Sequence, residues 1–124
     1  MVKILYVGIG GFIGASLRYL VSITVPKYIK TVFPLSTLLV NMAGAVLIGL
    51  IMQLSIRFSF ISPNMKLFLV TGILGGLTTF STFSYETITL YQSGKYILFL
   101  SNIILNLGLS LSGVILGTLI GRKI

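Results

Sequence analysis

Apolar residues run in four long stretches, roughly Ile4–Val25, Phe33–Ser55, Leu67–Tyr91 and Tyr96–Ile120. Each approaches or exceeds the roughly 20 residues that carry a helix across a bilayer. Short polar connectors separate them at Pro26–Thr31, Ile56–Lys66 and Gln92–Lys95, and all three prolines fall at or beside these connectors. Lipid offers no partner to an open backbone group, so helices are the expected form. The alternation of a membrane β-barrel is missing. The pattern predicts an all-α integral membrane protein of four transmembrane helices in one domain spanning residues 1–124. Lys3 and the apolar run after it resemble the start of a signal peptide. The run resumes through Leu20, which argues for a retained span.

Composition agrees. Of the 124 residues 56% are hydrophobic and 8% charged, where a soluble domain carries about 25% charged residues. Cysteine and histidine are absent and Glu86 is the sole acid. Disulfides and the common zinc ligands are thereby excluded, and an acid/base pair cannot be built within one chain. An enzyme is not expected. The net charge of +8 raises nucleic-acid binding, but the basic residues sit singly or in pairs between apolar runs, so no nucleic-acid partner is expected.

The same basic residues bear on orientation. An even number of spans puts Lys3, Arg57, Lys66, Arg122 and Lys123 on one side. Lys27, Lys30 and Lys95 lie on the other, joined by Arg18 if its head reaches that surface. Orientation follows the Lys/Arg bias across loops. Five against three or four is a weak bias, and it points to insertion both ways round and an antiparallel dual-topology homodimer, the alternative being that Lys3, Arg122 and Lys123 fix one orientation. Gly10 and Gly14, and the row Gly113, Gly117 and Gly121, recur every four residues, a spacing that lets helix backbones approach closely.

Polar side chains inside spans are costly and mark candidate sites. The third span is the densest, reading Gly75-Gly76-Leu77-Thr78-Thr79-Phe80-Ser81-Thr82-Phe83-Ser84-Tyr85-Glu86. Paired glycines before two threonines make a poor continuous helix. They predict either a break near the middle of the span, with carbonyls freed for a hard cation such as sodium, or a close helix contact. Phe80 and Phe83, three apart, would share a helical face and turn electropositive ring edges to an anion, or else pack. Ser81, Thr82 and Ser84 add hydroxyls. Asn102, Asn106 and Ser110 form a stripe at four-residue spacing, either stepwise donors to an anion or links between helices. Asn41 and Thr37 stand one turn apart in the second span. Arg18 and Glu86 lie near span ends, as aqueous or vestibule charges.

The stretches Gly10–Tyr19, Val40–Gly44 and Gly75–Phe83 resemble the Fluc (CrcB) family of bacterial fluoride channels, with the length and span layout matching over the whole chain. The resemblance implies a passive, fluoride-exporting channel of the bacterial inner (plasma) membrane, built as an antiparallel dimer with two pores. By that resemblance Phe80, Phe83 and Asn41 line the pores. Gly75 and Thr78 give backbone carbonyls to a structural sodium ion at the dimer interface. Asn102, Asn106 and Ser110 form a polar track, while Thr37, Ser81, Thr82 and Glu86 shape a vestibule or the pore's polar end, with Arg18 near it. The alternative is a proton-coupled exporter of small organic cations, similar to the small multidrug resistance family. That family relies on a glutamate in the first span, and none occurs here.

Overall fold

In the computed structural model, which describes residues 1–124, the chain forms four helical spans and no strand. Helix α1 covers Val2–Tyr28 and α2 covers Leu35–Arg57. The third span, Pro63–Gln92, comprises α3 (Pro63–Lys66), a π-helix (Leu67–Leu74), α4 (Gly75–Leu77) and α5 (Ser81–Gln92). Helix α6 covers Tyr96–Lys123. All four spans are long and apolar enough to cross a membrane.

The boundaries differ from the sequence reading mainly at connectors. Helix α1 runs two residues past Pro26, which sits in its last turns rather than in a loop. Proline ends a helix by clashing with the preceding turn, and here Ile29 leaves the helix three residues later with extended backbone. The third span begins earlier than expected. Ser62 caps it by accepting from the Met65 N–H at 3.1 Å, and Pro63 occupies the first helical position, where its missing N–H costs nothing. Two residues past the end of α5 stands Gly94, whose φ of 73° is the left-handed conformation that favours glycine and lets the chain turn straight into α6.

Glycine decides the packing. In the first helix pair, Gly10 and Gly14 of α1 face the third span. A Cβ on Gly10 would meet the Phe68 carbonyl oxygen, and one on Gly14 the Ile73 carbonyl. Gly72 and Gly76 return the contact, against Gly10 and against Gly11 and Ala15. The second pair is α2 with α6, where Gly49 faces Val114 and Thr118, and Gly117 faces Val46 and Leu50. Both pairs run parallel, as the first and third, and second and fourth, members of an up-and-down bundle must. Few residues are fully buried, and most large apolar side chains point outward, where lipid or another chain must cover them. At one end the Arg57 guanidinium donates to the Arg122 carbonyl at 2.6 Å, satisfying an open carbonyl at the end of α6.

Candidate functional site

The third span breaks at Thr78–Phe80. The expected break is present but displaced: Gly75 and Gly76 stay helical, and Thr78 is the first extended residue, at φ −81° and ψ 160°. The break is held open from α2. Asn41 grips both backbone groups of Thr79. Its Oδ1 accepts from the Thr79 N–H at 2.8 Å and its Nδ2 donates to the Thr79 carbonyl at 3.0 Å.

Competition for hydrogens explains which carbonyls are freed. In an unbroken helix the Thr79 N–H would bond Gly75 O, and the Thr82 N–H would bond Thr78 O. Asn41 Oδ1 has taken the first. The Thr79 hydroxyl oxygen has taken the second, at 3.2 Å, as a side-chain cap on α5. Neither carbonyl accepts from another backbone N–H. The Gly76 and Leu77 carbonyls are open in the same way, and of these four residues only Gly75 and Thr78 line a common cavity.

Two open cavities meet at Thr79, which lines both. The first, about 680 Å³, is bordered by Arg18, Thr37, Thr82, Glu86 and Lys95. Glu86 Oε1 accepts from the Thr37 hydroxyl at 2.9 Å, while Oε2 is buried and meets no donor of the protein. Arg18 thus shares a cavity with Lys95 and belongs with the cations of that end. The second cavity, about 530 Å³, is bordered by Asn41, Gly75, Thr78, Phe80, Phe83, Asn106 and Ser110.

Phe80 and Phe83 do not share a helical face, because Phe80 precedes the first residue of α5. Phe80 is 74% exposed and Phe83 only 7%. Their rings nonetheless lie 5.6 Å apart, tilted by 51°, an arrangement that sets ring edges rather than a flat stack toward the space between them.

Of the fourth-span stripe, Asn106 and Ser110 reach the second cavity and Asn102 does not. Asn102 is 0% exposed, bonded to Thr87 at 2.8 Å and to Asn106 at 2.8 Å. Ser81 is exposed and lines neither cavity. The Ser84 hydroxyl bonds back to the Phe80 carbonyl at 2.8 Å. Thr79, which lines both cavities, is a site residue that the sequence reading did not pick out. Thr79 stood in the quoted motif, but nothing local shows that its backbone is gripped from another helix.

The family described as "CrcB-like protein, Camphor Resistance (CrcB)" matches residues 5–118. The chain belongs to the CrcB family. A relative from Clostridium perfringens, named "Fluoride-specific ion channel FluC", is 58% identical over 118 residues, 95% of this chain and 92% of its own length. Proteins of the same name from Clostridium novyi and Methanococcus aeolicus are 52% identical over 122 residues and 46% identical over 106. The first covers 98% of this chain and 95% of its own length, the second 86% and 84%. These CrcB relatives carry a channel's name rather than an enzyme's. With four spans able to cross a bilayer, the chain is a multi-pass membrane protein.

Proposed function

We propose that the protein is a passive, fluoride-selective channel of the bacterial plasma membrane, acting as an antiparallel dual-topology homodimer. The observation that carries the reading is the break at Thr78–Phe80, held open by Asn41 where two cavities meet. Fluoride is small and strongly hydrated. A pore must replace its water with donors yet bind weakly enough to let it go. Ring edges of Phe80 and Phe83 and the hydroxyls of Ser110 and Thr82 suit that task. Both amide hydrogens of Asn41 are engaged, one by the Thr79 carbonyl and one by Asn106 Oδ1. Asn41 therefore works by shaping the wall. Arg18 and Lys95 make the first cavity electropositive, and an electropositive mouth draws anions in.

The same reading calls for a dimer. Gly75 and Phe80 are exposed on one subunit, where a partner would cover them, and the near-even charge count permits two-way insertion. The free Gly75 and Thr78 carbonyls are hard oxygen donors that suit a sodium ion. Bound between two subunits, such an ion would supply a fixed positive charge beside the anion route. Replacing sodium by a large organic cation is expected to abolish flux or separate the dimer, read by efflux and by light scattering in detergent. Unchanged flux and mass in sodium-free solution reject the site.

With no histidine and no acid in the first span, flow down the electrochemical gradient is the simpler mechanism, and a cell-negative potential drives fluoride outward. The test is fluoride efflux from liposomes bearing the purified protein. Efflux is expected without a proton gradient, and Phe80→Ile is expected to slow it at least about ten-fold with the dimer intact, since an aliphatic side chain has no electropositive edge. Flux that requires a proton gradient, or chloride passing at the same rate, sinks the passive-selective reading. Unaltered flux in Phe80→Ile removes that ring from the route.

A further inference from the structure

From the wall of the second cavity, a line of hydrogen-bonded side chains runs from the break into the protein. Asn41 Nδ2 donates to Asn106 Oδ1 at 3.0 Å. Asn106 Nδ2 donates to Asn102 Oδ1 at 2.8 Å and to the Asn102 carbonyl at 3.2 Å. Asn102 Nδ2 donates to the Thr87 hydroxyl oxygen at 2.8 Å, and that hydroxyl donates to the Phe83 carbonyl at 2.6 Å. The line starts on the Thr79 backbone and ends on the Phe83 backbone, so it ties together the two segments that carry the break and the buried ring.

Its direction is fixed. The Thr79 N–H can only donate, which sets Asn41 Oδ1 toward it and leaves the Asn41 amide hydrogens for the Thr79 carbonyl and Asn106. The Asn102 and Phe83 carbonyls can only accept, which orients Asn106 and the Thr87 hydroxyl in turn. Each amide has one orientation that satisfies all its neighbours, and reversing any of them sets two donors or two acceptors face to face. Buried networks satisfied throughout are rigid, and one lost member leaves partners unpaired at the full desolvation cost.

We propose that Asn102 and Thr87 are positioning residues for the conduction route: touching neither cavity, they brace Asn106 and Asn41 and so hold the Thr79 backbone and the Phe83 ring in register. The proposal rests on the fluoride-channel reading for its functional arm only. The side chains in between are already committed to one another, so the brace has no slack to absorb a missing member. It also explains why Asn102 on α6 is fully buried although it lines neither cavity.

The decisive pair is Thr87→Ser and Thr87→Ala, which differ from each other by one hydroxyl. In single-channel recordings of the full protein, Thr87→Ser is expected to keep the unitary fluoride current within about two-fold of the parent, and Thr87→Ala to lower it about ten-fold or more. A second measurement reads the brace directly, as hydrogen exchange at the Thr79 amide in the detergent-solubilised dimer. Exchange there is expected to speed up at least about ten-fold in Thr87→Ala and to stay at the parent rate in Thr87→Ser. Loss of packing alone would lower thermal stability in both variants and leave Thr79 exchange unchanged, overturning the proposal. Equal currents in the two variants also overturn it. Where Thr87→Ala fails to assemble, Thr87→Val, which keeps the volume and lacks the hydroxyl, takes its place with the same expectations. A parent protein that passes no fluoride refutes the channel reading, while Thr79 exchange still decides whether the brace exists.

Discussion

Asn41→Leu is expected to stop fluoride flux, lowering it at least about a hundred-fold, with protein still present in the membrane. The asparagine satisfies both backbone groups of buried Thr79 and one oxygen of Asn106. Leaving a buried polar group unpaired costs about 1–3 kcal/mol each, and more where no water can reach. The chain has a cheaper route. Released from Asn41, the Thr79 N–H can return to the Gly75 carbonyl, the bond an unbroken helix would make. The third span would then straighten, the Gly75 oxygen would cease to be available for a cation, and Phe80 would rotate with the mended helix. Asn41→Asp tests the same point more finely. A carboxylate accepts from Thr79 N–H but donates neither to the Thr79 carbonyl nor to Asn106, so it is expected to be impaired nearly as much. Liposome efflux for both variants checks the result, and flux at the parent rate in Asn41→Leu would mean that the break holds without its grip.

Gly14→Leu is expected to prevent assembly altogether. A Cβ at Gly14 would collide with the Ile73 carbonyl and come within 2.8 Å of Leu77 N. These are backbone atoms, unable to swing aside as a side-chain tip would. Even Gly14→Ala is expected to cost about 1–3 kcal/mol, the penalty typical of an overfilled contact. Without lipid-driven hydrophobic association, close approach is what holds such helices together, so widening this contact separates α1 from the segment that leads into the break. Gly8 is the control, since nothing lies within 4 Å of a Cβ there. Gly8→Ala is expected to purify and melt like the parent. Size-exclusion profiles and thermal unfolding in detergent read the comparison, and a stable, monodisperse Gly14→Leu would refute the packing account.

The spans were legible because lipid imposes a length and an apolar composition that no local detail can disguise. Paired glycines announced trouble in the third span, yet they were consistent with both a break and a tight contact, and the structure uses one of them, Gly76, for the contact. Gly76 packs on Gly11 and Ala15 and remains helical. The break lies just beyond, where Asn41, 38 positions earlier in the chain, outcompetes a helical carbonyl for the Thr79 N–H. A contest of that kind leaves no trace in local spacing. The same limit applies to Phe80 and Phe83. Helical geometry explains a shared face at three-residue spacing, whereas here the rings meet because Phe80 stands outside α5 and leans over it. The α6 stripe divided for a third reason. Four-residue spacing put Asn102, Asn106 and Ser110 on one side, but depth decides which of them meets a cavity, and the Thr87 hydroxyl on α5 draws Asn102 inward.

The central claim is passive, fluoride-selective conduction through a route walled by the broken third span. It is tested most directly by the reversal potential of the purified protein in a planar bilayer, with a fluoride gradient across it, chloride present and sodium on both sides. The account predicts reversal at the fluoride equilibrium potential, unmoved when a pH difference is imposed or chloride is varied. A reversal potential that follows the proton or chloride gradient would contradict it.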